Sequence, residues 1–167
     1  MGRYRPPQAK SSPYITAEGY QTLQDELAGL WKRRHLVTIA LSAAAAEGDR
    51  SENAEYIYRK KELREIDRRV RYLQKRLPDL KVIRDLPGDQ GAIFFGAWVR
   101  LEDEDGNETT YRIAGPDEFD LDKGFISMDS PMAKALMKKR VDDEVSVHTP
   151  KGDKLYYVSE ISYSEIH

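Results

Sequence analysis

Two stripes of apolar residues, each advancing by alternating steps of three and four, constrain this chain more than any other feature. The first runs through Tyr20, Leu23, Leu27, Leu30, Val37, Leu41 and Ala44. The second runs through Tyr56, Leu63, Ile66, Val70, Leu73 and Leu77. Such spacing keeps one face of a helix apolar and marks a coiled-coil seam. Each seam is interrupted by one arginine, Arg34 in the first and Arg59 in the second. Thr16 is suited to cap the first helix, Gly48 to end it, and Pro78 to end the second near Leu77. Two stripes of similar length joined at Gly48-Asp49 predict an antiparallel helical hairpin over residues 14–82, with its tip at 47–53. One seam per helix leaves the other faces wet, so the expected object is a rod with arms of about 40 Å.

After residue 90 the period changes. "AIFFGAWVRLEDEDGNETTYRIAG" reads as strand, turn at Asp105-Gly106-Asn107, strand. "KGFISM" and "VDDEVSVHTPKGDKLYYVSEISY" add further strands, with a turn at Pro150–Gly152. "SPMAKALMKK" is the one helix here, capped by Ser130 or Asp129 with Pro131 in its first turn. Residues 91–167 are therefore expected to form a small antiparallel sheet with one helix, making the chain a two-domain α+β protein with a linker at 83–90. Residues 1–13, rich in proline and base and without periodicity, read as a disordered tail.

Composition narrows the chemistry. There is no cysteine, which removes disulfides, thiolate metal sites and cysteine nucleophiles. The three histidines, His35, His148 and His167, stand singly and are expected on the surface. No apolar run approaches a membrane span and the start is not a signal peptide, so a cytoplasmic location without membrane contact is expected. The net charge of −2 conceals a division: residues 1–90 carry 18 basic and 13 acidic side chains, residues 91–167 carry 9 and 16. Such asymmetry points to two surfaces with different partners.

The tip adds a sharper signal. "AEGDRSENAEY" places Glu47, Asp49, Glu52 and Glu55 within eleven residues. Helix capping accounts for part of this: Asp49 with Glu52 fits a capping box for the second helix, and Ser51 is an equally good cap. Acid at the end of a thin rod has no neighbouring surface to serve. Behind it, residues 56–76 hold nine Lys or Arg against three acids, and Lys60, Arg64, Arg68 and Arg71 share one helical face. Too few acids are present to pair that face, which favours a polyanion. Two carboxylates rarely hold Mg²⁺ unaided, so the tip reads as half of a metal site.

"GDRSENAEY" on a hairpin, followed by "KKELREIDRRVRYLQKRL", "FFGAWVRLEDEDG", "YRIAGPDE", "ISMDSPMAKALMKK" and "VHTPKGD", resembles the Gre transcript-cleavage factors of bacterial RNA polymerase, in their GreB branch. The resemblance covers about residues 14 to 163. It implies a coiled-coil hairpin followed by a domain of FKBP-like fold. It also implies a monomer, inactive as an enzyme alone, that docks on the coiled coil of the polymerase β′ subunit and reaches through the secondary channel. There it would stimulate the polymerase's own cleavage of backtracked nascent RNA at the 3′ end. By the same resemblance Asp49 and Glu52 help to hold a Mg²⁺ shared with the polymerase, by two-metal hydrolysis. Lys60, Lys61, Arg64 and Arg68 match the basic patch facing the RNA, and Asp129, Ser130 and Pro131 match the docking segment. Leu36 and Ile39 fall off the first seam, which leaves the register of that arm open around His35–Ile39.

Two other functions compete. Some relatives occupy the same channel without promoting cleavage, and intact Asp49 and Glu52 argue against that reading. A peptidyl-prolyl isomerase is suggested only by the implied fold of the second half, and fold does not carry function.

Overall fold

The computed structural model describes residues 10–48 and 53–167. The chain divides into two compact units, one of residues 18–80 and the other of residues 81–167 together with the segment up to Ala17.

The first unit holds most of α1 (Ala17–Ala45) and α2 (Ala54–Arg76), followed by a single 3₁₀ turn at Leu77–Asp79 that Pro78 opens. Burial follows the heptad. Leu23, Val37 and Ala44 of α1 are buried, as are Ile66, Val70 and Leu73 of α2. Val37, Ile66 and Val70 form the centre of this seam, with Leu27, Leu30 and Leu63 packed around them. Leu36 and Ile39 are 60% and 54% exposed, so the register keeps them outside the seam. The polar interruptions are paired rather than bare. Arg34 donates to Asp67 at 2.7 Å across the hairpin, and Arg59 bonds Glu55 and Glu62 on its own helix.

The ends of the expected hairpin lie in the second unit. Tyr14–Thr16 forms β1 and Lys81–Ile83 forms β2, and the two pair in parallel. Thr16, expected as a helix cap, is the last residue of β1, and its hydroxyl donates to the Glu118 carboxylate. The same carboxylate accepts the amides of Thr16 at 3.0 Å and Gly115 at 2.7 Å. Glu118 thus fastens the strand that leads into α1.

The main sheet comprises β3 (Trp98–Asp103), β4 (Glu108–Ala114), β5 (Phe125–Ser127), β6 (Glu144–Thr149) and β7 (Gly152–Ser162), in the order β5-β4-β3-β7-β6. An all-antiparallel sheet is expected from the sequence; the structure corrects this, because β5 runs parallel to β4 and the sheet is mixed. The cause is the connection. Residues 115–124 are long enough to carry the chain back before it re-enters the sheet, whereas an antiparallel partner needs only a tight turn. The expected tight turns are present at Gly106, with φ of +81°, and before Gly152, with φ of +109°. Helix α3 (Pro131–Leu136) lays Ala133 and Leu136, both fully buried, against Ile93, Val99, Leu101, Ile113, Val145 and Val158. It is shorter than the sequence suggests and gives way to Lys138 at φ of +67°. Among the described residues no helix is long and apolar enough to cross a membrane.

Candidate functional site

The end of the hairpin is built from the turn outward. Asp49 and Glu52, the expected catalytic and metal-holding pair, lie outside the described residues. Their neighbours decide a related question. The N-cap of α2 is Asn53, with φ −85° and ψ 99°, and its side chain accepts the Tyr56 amide at 3.1 Å. Its Nδ2 also donates to the Ala44 carbonyl at 2.7 Å. One amide side chain therefore satisfies an orphan donor of α2 and adds a bond to a carbonyl in the last turn of α1 that also accepts the Glu47 amide at 3.2 Å. Asp49, Ser51 and Glu52, the expected capping residues, lie outside the described residues, and the cap position itself is held by Asn53. The helix starts two residues later than a Ser51 cap requires, and an asparagine already occupies the cap.

Along α2 the cations sort into two populations. Those flanking the seam are paired: Arg59 to Glu55 at 2.8 Å and to Glu62 at 3.0 Å, and Arg69 to Glu26 through two bonds of 2.7 and 2.9 Å. Glu62 also accepts from Arg33. The Arg33 guanidinium, followed by that of Arg59, holds the Glu62 carboxyl below the usual carboxylate range, and Glu55 and Glu62 push Arg59 up. The second population faces outward. Lys60, Lys61, Arg64 and Arg68 are exposed, as is Arg71, and among the described residues none of them has an ion-pair partner. Lys60 lies 5.8 Å from the centre of the Tyr56 ring. Among the described residues the expected basic face is therefore a row of cations without carboxylate partners, which leaves their charge available to a polyanion.

The expected docking segment lies at the corner between β5 and α3. Ser130 caps α3 by accepting the Ala133 amide at 3.2 Å, and the exposed Pro131 occupies the first turn. Asp129, half-buried, accepts the Ser12 amide at 2.9 Å and the Ser12 hydroxyl. Of the apolar residues beside it, Leu136 is fully buried, while Met128 and Met132 are partly buried against the core.

Two interactions here escape sequence reasoning. Nothing in "KSSPYIT" signals that Ser12 meets a residue 117 positions away. Asn53 was legible in principle, being a good cap three residues before Tyr56, but Asp49 and Ser51 are equally competent by type. Among the described residues no group of three or more His, Asp or Glu could hold a metal. His148 is exposed, with Nδ1 2.6 Å from Asp153.

Known proteins resemble the chain along nearly its whole length. Residues 88–163 match the family described as "Transcription elongation factor, GreA/GreB, C-term", and residues 13–82 match "Transcription elongation factor, N-terminal". Transcription elongation factor GreB of Pseudomonas aeruginosa is 59% identical over 164 residues, covering 98% of each chain. The protein of that name from Xanthomonas axonopodis pv. citri is 56% identical over 168 residues, covering 99% of this chain and 100% of its own. The solved structure of GreA factor homolog 1 from Thermus thermophilus is 29% identical, covers 89% of this chain and 97% of its own, and aligns with a TM-score of 0.41.

Proposed function

The chain belongs to the GreA/GreB family of transcription elongation factors, on its GreB side, and from that premise we propose that it enters the secondary channel of RNA polymerase and stimulates cleavage of backtracked RNA. The observation that carries this reading is the division of cations on α2. Among the described residues the outward row is left without carboxylate partners, directly behind an acidic end whose capping duty belongs to Asn53. Lys60, Lys61, Arg64 and Arg68 then hold the phosphates of the extruded RNA segment, and Asp49 and Glu52 approach the polymerase active site.

Carboxylate oxygens are the hard donors that Mg²⁺ accepts, and two of them leave coordination positions for polymerase, water and RNA phosphate. Asp49 and Glu52 would hold a Mg²⁺ together with donors of the polymerase, and the ion would supply a more acidic bound water and offset charge on the phosphodiester. The chain's own carboxylates would orient the attacking water and complete a donor set that the polymerase begins. On this reading the protein is an activator, with the hydrolytic centre belonging to the polymerase and the anchor at Asp129–Pro131 meeting the β′ coiled coil.

A stalled, backtracked polymerase carrying labelled RNA tests the proposal. Adding the protein with Mg²⁺ should shorten the RNA from its 3′ end, and Asp49→Asn or Glu52→Gln should abolish that effect while binding persists. RNA that stays intact with wild-type protein bound would identify a channel occupant that does not promote cleavage. Wild-type rates in both variants would remove the carboxylates from the chemistry.

A further inference from the structure

An exposed aromatic ring stands at the tip end of the basic row, and the seam does not use it. Tyr58 is 59% exposed and the adjoining Ile57 is 53% exposed, both off the buried seam of α2. Isolated exposed apolar residues are ordinary. This one differs in two respects. Its ring has the Arg59 guanidinium 5.5 Å from its centroid, and Arg59 is itself tethered to Glu55 and Glu62. The ring is therefore backed by a cation that two carboxylates hold in place, which reduces the conformational freedom it would lose on binding. It also heads the unpaired charges: Lys61 follows one turn on, with Arg64 and Arg68 beyond it at rises of about 9 and 15 Å along the helix.

We infer that Tyr58 is a stacking platform for an unpaired base, with Lys61 and Arg64 taking the phosphates next to it. The occupant is single-stranded nucleic acid: a charged row alone selects any polyanion, whereas a row headed by an open, pre-positioned aromatic face adds a surface complementary to a base. A sequence-tolerant interaction of this kind suits a segment whose sequence varies, because every base has a π-face. The inference rests on the proposed function, in which that strand is the extruded RNA, and it gives Tyr58 a positioning role rather than a catalytic one.

The test pairs two variants with two RNAs in the backtracked complex. Tyr58→Ala should raise the protein concentration needed for half-maximal cleavage by about 5- to 150-fold on natural RNA, the range spanned by loss of one base–aromatic stack. Tyr58→Phe, which keeps the ring and loses the hydroxyl, should stay near wild type. With abasic nucleotides in the extruded segment, wild type and Tyr58→Ala should converge, since no base remains to stack. An equal penalty on natural and abasic RNA would overturn the inference, as would a Tyr58→Ala variant indistinguishable from an active wild type. If the wild-type protein stimulates cleavage of neither RNA, the proposed function fails and this inference fails with it.

Discussion

Asn53 donates a 2.7 Å hydrogen bond from its side-chain amide to the carbonyl oxygen of Ala44, so the residue that caps α2 also closes the last turn of α1. Capping and acidity at the hairpin end are thereby assigned to different residues, and substitution can separate them. Asn53→Ala should destabilise the hairpin by about 1–2 kcal/mol, because a cap and a cross-turn bond are removed together. Denaturant midpoint and amide exchange at Tyr56 would register the change. Asp49→Asn and Glu52→Gln should leave both readouts near wild type while abolishing stimulated cleavage. A melting loss in those two variants equal to that of Asn53→Ala would return the acid to a structural role.

The two populations of cations on α2 should respond differently to substitution. Reversing Lys60, Lys61, Arg64 and Arg68 to Glu should weaken crosslinking to the extruded RNA, most strongly for long backtracked segments, which offer more phosphates. The salt dependence of binding should flatten by roughly 0.7 in log–log slope for each phosphate that is no longer neutralised. Arg69→Gln, which breaks the pair with Glu26, should instead lower hairpin stability and leave the RNA crosslink unchanged. A decline in crosslinking independent of RNA length would point to a general interaction with polymerase.

Acidification should loosen the hairpin through Glu62. Its folded pKa is depressed by Arg33 first and Arg59 second. A depressed carboxyl contributes stability above its unfolded pKa and loses it as pH falls through the folded value. With an unfolded value of about 4.3, the melting temperature should begin to fall below roughly pH 5. Asp89, held down by Arg140, and Asp103, held down by the Asn107 amide, contribute to acid sensitivity in the same direction. Glu62→Gln should melt lower at pH 7 and show a shallower slope below pH 5; a parallel curve would mean that the bonds from Arg33 and Arg59 carry no net stabilisation in solution.

The seam was legible in the sequence because burial in a two-helix hairpin obeys one period: Leu23, Val37 and Ala44 are buried where the steps of three and four place them. Leu36 and Ile39 tested that pattern, being apolar and off the stripe, and packing left them exposed. The direction of β5 was not legible. Alternation in "FIS" reports a strand and says nothing of which way it runs, and only the course of residues 115–124 sets it parallel to β4. The basic row could be read from spacing alone. Which of its charges are paired could not, since Arg33 and Glu26 on α1 select partners on α2 through the three-dimensional register. Spacing also put Tyr58 off the seam, but the Arg59 guanidinium over its ring follows from side-chain placement that spacing does not report.

Gly115 should not tolerate even a methyl group. A Cβ built there falls 2.0 Å from the Tyr14 carbonyl oxygen, a backbone atom that cannot rotate away. Gly115→Ala should displace β1 and cost about 1–3 kcal/mol. Limited proteolysis near residues 14–16 should become faster, and the Thr16 amide should lose its protection from exchange as its bond to Glu118 is strained. Unchanged protection at Thr16 would show that the 115–118 turn yields instead.

Docking should depend on a corner that the N-terminal segment helps to shape. Asp129 accepts both the amide and the hydroxyl of Ser12. These bonds orient the Asp129 carboxylate, whose negative charge would attract a basic residue of a partner. Asp129→Ala or Asp129→Lys should therefore reduce affinity for polymerase at least tenfold, in line with the cost of about 1.5–3 kcal/mol for a hydrogen bond to a charged group. Ser12→Ala removes the hydroxyl bond to Asp129, keeps the amide bond, and should cost a few-fold at most. Pro131→Ala should fall between them, because it loosens the first turn of α3 without removing a charge. For substitutions at all three positions, cleavage of backtracked RNA should recover fully at saturating protein, since the proposed chemistry resides at the hairpin end and not at this corner. A Ser12→Ala variant as weak as Asp129→Ala would make the Ser12 hydroxyl itself part of the docking surface. Any of the three that remained inactive at saturation would show that the anchor and the chemistry are not separable.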